Sequence, residues 1–147
     1  MADSSPQIAV ADWINREWLP HRMGETFFRG KVRLLSGGEH SYASVNADKS
    51  AVGTICTSGP RNGGKLKVRA DLYFLLMAQT TRRFVVFTDP GMDAYFAEER
   101  RKGQIPKDIG FLFAEGIPTD LMERLRAAQR SASDELTVLV PTLEIEK

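Results

Sequence analysis

The sequence has little of what several specialised protein classes need. It contains one cysteine, Cys56, so no disulfide can form within the chain, and its two histidines and this cysteine cannot make a four-ligand zinc site. Its 20 basic and 19 acidic residues leave a net charge of +1, so no overall field attracts the chain to nucleic acid or to a membrane surface. Its wholly apolar runs are far shorter than the roughly 20 residues that cross a bilayer.

The composition that is present is that of a globular protein. The chain has 147 residues, of which 42% are hydrophobic and 27% are charged, and it has no internal repeat or low-complexity linker. We therefore expect a single domain over residues 1–147. Its first residues lack the basic and apolar regions of a secretory signal, so we expect a cytoplasmic protein with no membrane partner.

Hydrophobic spacing predicts ten elements in the order α-β-β-β-α-β-α-β-α-β. Ser4 or Ser5 caps the first helix, and Pro20 and Gly24 end it. The later helices are predicted over about 65–79, 91–102 and 118–132, and the strands over 26–35, 41–45, 51–57, 83–88 and 109–113. Residues 136–140 are predicted as a last strand or an extended tail. An antiparallel meander followed by alternating strands and helices predicts an α/β (α+β) fold, with a mixed central sheet and helices on both faces.

The charges are unevenly spread, and their middle part is basic. Residues 58–88 contain six basic side chains and one acidic side chain. This part begins with the glycine-rich loop 58–64, where a flexible backbone and a helix start near Lys65 favour phosphate binding. The candidate phosphate-binding residues are Arg61, Lys65, Lys67 and Arg69. Because Leu66 follows the lysine, the loop is not a Walker A motif, and a solvated surface loop is the alternative interpretation.

Cys56 and His40 lie on strands that are predicted to be neighbours, and one interpretation of this pair is a thiol nucleophile with its base. Such catalysis requires a thiolate in contact with that base. A lone cysteine flanked by apolar residues in a strand is more typical of a small buried side chain. We therefore predict that Cys56 belongs to the core.

The order of elements over residues 6–88 resembles the core of the PD-(D/E)XK, or restriction-endonuclease-like, superfamily. Segment 39–45 stands where those proteins have an acidic residue entering the second strand, and segment 52–58 stands where they have the third strand with its acidic-x-Lys. The resemblance implies an αβββαβ core, with residues 89–147 as additional α/β elements. It also implies carboxylates that hold Mg²⁺ or Mn²⁺ and a lysine that positions or activates water.

The sequence departs from this family at the residues that carry the chemistry. Thr54-Ile55-Cys56 occupies the acidic-x-Lys position and supplies neither a carboxylate nor an ammonium group. The remaining catalytic candidates are Glu39, Asp48 and a displaced Lys65, and the metal-ligand candidates are Glu17, Glu39 and Asp48. We therefore expect a catalytically degenerate site.

Three functions follow from this interpretation. The first is a protein that is not an enzyme and that binds DNA or RNA through the basic glycine-rich loop. The second is an active nuclease that uses Mg²⁺ or Mn²⁺ and migrated site residues. The third is a non-enzymatic interaction or assembly module. The closing helix offers an amphipathic face that suits either solvent or a homodimer contact, and the sequence leaves both open.

Overall fold

The five strands form one mixed sheet in the computed structural model, which describes the backbone of residues 5–139 and the side chains of residues 5–130. Their order is β1-β2-β3-β4-β5, with antiparallel pairing from β1 to β3 and parallel pairing from β3 to β5. The strands are β1 Phe27–Arg33, β2 Glu39–Asn46, β3 Ala51–Cys56, β4 Arg82–Phe87 and β5 Ile109–Phe113. The predicted meander and mixed α/β sheet are thereby confirmed.

Helical segments cover both faces of this sheet. They are α1 Ser5–Trp13, a π-helix Ile14–Trp18, α2 Leu19–Met23, α3 Asn62–Met77, α4 Pro90–Arg101 and α5 Thr119–Leu139. One buried cluster joins α1, the π-helix and α5 to the sheet, through residues that include Val10, Ile14 and Leu125. The other joins α3 and α4 to the opposite face, through residues that include Leu75 and Phe96. Both faces are apolar because the central strands β3 and β4 have buried, mostly apolar residues at successive positions. The side chains of successive residues point to opposite faces of the sheet.

One of the two residues predicted to end the first helix does not end it. Pro20 does not end the first helical segment but lies inside α2, directly after the π-helix, where the Leu19 amide donates to the Ile14 carbonyl five residues back. This wider turn accommodates a residue that has no amide hydrogen to donate. Gly24 does end the segment, with the left-handed φ of 73° that favours glycine. The predicted cap Ser4 lies outside the described residues.

The predicted strand or tail at 136–140 is wrong as far as Leu139, because α5 continues through that residue. The β-branched Thr137 and Val138 suggested a strand, but the helix meets no glycine or proline before Pro141. The surrounding alanines, Glu135 and Leu136 are good helix formers. Val140 lies outside the described residues.

The central strand β3 is buried along its whole length and is packed without spare room. A Cβ built on Gly53 would lie 2.1 Å from Cε2 of Phe84, which is the paired residue of β4. The Phe84 ring in turn meets Phe27 edge to face, with centroids 5.6 Å apart. Gly53 is therefore required by the close approach of an aromatic ring.

Candidate functional site

The parallel strands β3 and β4 end at the same edge of the sheet, and each leads into the start of a helix. Residues 57–61 join β3 to α3, and residues 88–89 join β4 to α4. Ligands of such sheets bind outside the carboxyl ends of parallel strands, where helix N-termini converge. A ligand site is therefore expected at this end of the sheet.

A cleft of about 380 Å³ opens there between the loops and α5. Its lining residues are Gly59, Pro60, Arg61, Asp89, Arg126, Gln129 and Arg130. Three arginines and one aspartate thus line the cleft. The aspartate carboxylate is already used, since Asp89 caps α4 by accepting a hydrogen bond of 2.9 Å from the amide of Met92. We call this the arginine cleft.

Helix α5 reaches the cleft because it is tied to the loop after β3. The Gln129 side-chain amide donates to the Thr57 carbonyl at 2.6 Å, and the Arg61 guanidinium donates to the Gln129 carbonyl at 3.3 Å. Arg126 and Arg130 lie four residues apart, so both project to one side of α5. Sequence reasoning did not select them for the site. Their spacing on one helix face was the only available signal.

The glycine-rich loop is shorter than predicted, because α3 begins at Asn62 rather than near Lys65. Its N-cap, Arg61, makes no side-chain capping hydrogen bond, so the positive end of α3 adds to the charge beside the cleft. A Cβ on Gly64 would lie 2.8 Å from the Ser58 Cβ and 3.0 Å from the Met92 Cε, whereas Gly63 has open space around it. Gly64 therefore serves packing rather than ligand approach.

Of the four predicted phosphate-binding residues, only Arg61 lines the cleft. The ammonium of Lys65 lies 4.1 Å from the centre of the Tyr95 ring on α4. Arg69 also points to α4, where it pairs with Glu99. The pKa of Arg69 is raised mainly by a hydrogen bond to Tyr95 and to a smaller extent by the hydrogen bond to Glu99. Lys67 is exposed on α3 and does not line the cleft.

The carboxylates predicted to hold a metal are not all brought together. Glu39 begins β2, and Asp48 lies in the turn after β2. The two residues are therefore at opposite ends of a strand that is about 23 Å long. Hydrogen bonds from the hydroxyl and amide of Ser50 lower the pKa of Asp48. Glu17 lies in the π-helix and is exposed. Within residues 5–130, no group of three or more His, Cys, Asp or Glu side chains is arranged to hold a metal ion.

The residues at the acidic-x-Lys position lie in the core. Thr54, Ile55 and Cys56 are all buried in β3, and the Thr54 hydroxyl has no hydrogen-bond partner among the described residues. The Cys56 thiol lies 3.9 Å from the Ser58 carbonyl, and burial raises its pKa to about 11. The His40 ring stacks on Phe74 with centroids 4.0 Å apart. This arrangement favours a packed thiol over a nucleophile.

Among the described residues, no helix combines the length and the apolar character that a membrane span requires. In the arginine cleft, positive charge, a helix N-terminus and an open volume coincide. No protein-family model, no curated protein and no solved structure matches this chain.

Proposed function

We propose that this chain is a nucleic-acid-binding protein of the restriction-endonuclease-like fold, which holds a phosphate group in the arginine cleft and does not cut the strand. The observation that carries the proposal is the convergence of Arg61, Arg126 and Arg130 on one cleft. Guanidinium groups match phosphate oxygens in pairs of parallel hydrogen bonds. Phosphate contacts supply most of the sequence-independent affinity for nucleic acid.

The architecture supports this fold assignment. A helical segment, three antiparallel strands, a helix and a fourth strand follow one another over residues 5–87. The sheet is mixed and has helices on both faces, as the resemblance implies. The arginine cleft lies at the end of the third strand, beside the segment that follows the acidic-x-Lys position.

The absence of cleavage is supported by where the candidate catalytic groups lie. Thr54 and Cys56 are buried and bear no charge that a metal or a phosphate would use. Glu39 and Asp48 stand at opposite ends of β2, and Lys65 contacts Tyr95 on α4. Carboxylates that share a metal ion must lie within a few ångströms of one another. These placements favour binding over metal-dependent hydrolysis.

The test compares a variant that lacks two charges of the cleft with a control variant that lacks two charges elsewhere. The variant is Arg126→Gln with Arg130→Gln, and the control is Lys102→Gln with Lys107→Gln, on the α4–β5 connection. Fluorescence anisotropy with single-stranded and duplex DNA and with RNA, over a range of salt concentrations, measures affinity and salt slope. We expect the cleft variant to bind more weakly and its slope to fall by about 1.4 on a single strand or about 1.8 on a duplex.

Equal binding by the cleft variant and its control contradicts the proposal. Plasmid nicking by the wild-type protein that needs Mg²⁺ or Mn²⁺, and that Glu39→Gln abolishes, establishes the active nuclease instead. Absence of binding to every nucleic acid leaves the interaction or assembly module. Circular dichroism on each variant checks that the fold is retained.

A further inference from the structure

Edge strand β1 carries three basic side chains on one face of the sheet. Arg29, Lys31 and Arg33 are exposed and occupy alternate positions, so they project to the same side. Phe27 belongs to the same alternation and packs into the cluster formed with α1 and the π-helix. The three cations therefore lie on the α1 side of the sheet. We call them the basic strip.

Two carboxylates, those of Asp12 and Glu39, lie beside the strip, but neither forms an ion pair with it. Within the described residues, none of its three members forms an ion pair within 4.0 Å. On the neighbouring strand β2, Ser41 lies opposite Lys31, and Glu39 lies opposite Arg33. Three cations thus repeat at about 6.6 Å along some 13 Å of extended backbone. This arrangement presents a row of positive charge to solvent.

Helix α1 forms a wall beside the strip. Arg29 shares a cavity of about 180 Å³ with residues of α1, the π-helix and β2, namely Ile8, Ala11, Asp12, Asn15 and Ala43. This cavity adjoins the strip at Arg29, its first member. A flexible single strand, whose bases are free to turn away from its backbone, can follow cations that are spaced along one strand of a sheet.

The strip runs along β1 toward the end of the sheet at which the arginine cleft lies, beyond the carboxyl ends of β3 and β4. Arg33 lies opposite Glu39, the first residue of β2, in the strand register, and β2 is antiparallel to β3. The end of the strip therefore lies level with the end of β3, two strands and about 10 Å across the sheet. One extended polyanion can reach both groups of cations.

We propose that the basic strip binds the phosphodiester backbone of a single-stranded nucleic acid that also places a phosphate in the arginine cleft. This inference rests on the proposed function, and it extends the ligand from one phosphate to an extended single strand. Charged residues also protect edge strands from pairing with other chains. The experiment must therefore separate nucleic-acid binding from protection of the edge.

The test compares Lys31→Gln with Arg33→Gln, as one double variant, against the Lys102→Gln with Lys107→Gln control. Arg29 is left intact because it lines the cavity beside Asn15. Each protein is titrated at several salt concentrations with an oligothymidylate and an oligouridylate of about 16 nucleotides, their duplex counterparts, and a phosphorylated thymidine dinucleotide. We expect the strip variant to bind the oligonucleotides more weakly, with a salt slope lower by about 1.4, and to bind the dinucleotide as the wild type does.

The cleft variant separates this inference from the function on which it rests. Loss of dinucleotide binding in the cleft variant, with the strip variant equal to its control on every ligand, overturns the strip and leaves the cleft. A strip variant that self-associates but binds oligonucleotides normally shows that the charges only protect the edge. Tighter binding of duplex than of single strand overturns the choice of ligand, and a wild type that binds neither overturns both proposals.

Discussion

Asn15 and Ser44 join the two irregular segments of this fold through a buried hydrogen bond. The Ser44 hydroxyl donates to the Asn15 Oδ1 at 2.5 Å, and the Asn15 amide donates to the Ala43 carbonyl at 2.8 Å. Asn15 lies in the π-helix, and residues 43–44 lie where the register of β2 against β1 shifts. A bulge leaves backbone groups unpaired, and Asn15 satisfies one of them.

We expect Asn15→Ala to lower the free energy of unfolding by about 2 kcal/mol, because it strands the Ser44 hydroxyl and the Ala43 carbonyl in the interior. Ser44→Ala removes one partner and costs less. Urea denaturation of both variants and of the double variant measures the coupling between the two side chains. Strictly additive effects would show that the hydrogen bond contributes nothing of its own.

Two glycines of the predicted glycine-rich loop, Gly63 and Gly64, lie in the first turn of α3 and give a matched pair. Gly63→Ala meets open space in the first turn of α3, so we expect it to stabilise the protein by about 0.5–1 kcal/mol. Gly64→Ala places a Cβ 2.8 Å from that of Ser58, and we expect it to destabilise by about 1–3 kcal/mol. Thermal denaturation measures both. Equal effects of the two substitutions would contradict this account of the loop.

Two basic residues of α3, Arg69 and Lys67, are expected to differ in how much they contribute to stability. Arg69 pairs with Glu99 and lies over the Phe96 ring, with its guanidinium carbon 5.5 Å from the centroid. We expect Arg69→Ala to cost about 1 kcal/mol of stability, allowing for solvent screening of this partly exposed pair. Lys67→Ala, at an exposed position, should change stability by less than about 0.5 kcal/mol. Urea denaturation ranks them, and a larger loss in Lys67→Ala argues against the α3–α4 contact.

Cys56 should make stability depend on alkaline pH. Burial raises the pKa of its thiol from 9.0 to about 11, so between these values the unfolded chain loses the proton while the folded protein keeps it. The unfolded state is then favoured, and about 2 kcal/mol of stability is lost by pH 11. We expect Cys56→Ala to show a shallower decline of unfolding free energy between pH 9 and 11. Rapid alkylation of the native thiol at pH 7 would contradict its burial.

The local signals of the sequence determined most of the elements of this fold. Asp89 followed by Pro90 marks the start of α4, and the structure has that cap. The β-branched and aromatic run before it forms the buried strand β4, and Gly24 ends the first helical segment. These features depend on propensities, caps and periodicity within a few residues, which a sequence displays directly. The sequence likewise predicted Cys56 as a core residue, and it is buried.

Only the tertiary structure decided which side chains share a site. The basic residues around the loop differ in role because successive positions on α3 point in different directions, and α4 takes up Lys65 and Arg69. Arg126 and Arg130, more than 60 positions beyond Arg61, reach the cleft only because α5 docks through Gln129 onto the loop. Contacts between distant segments depend on the packing of whole elements, and no local pattern specifies them.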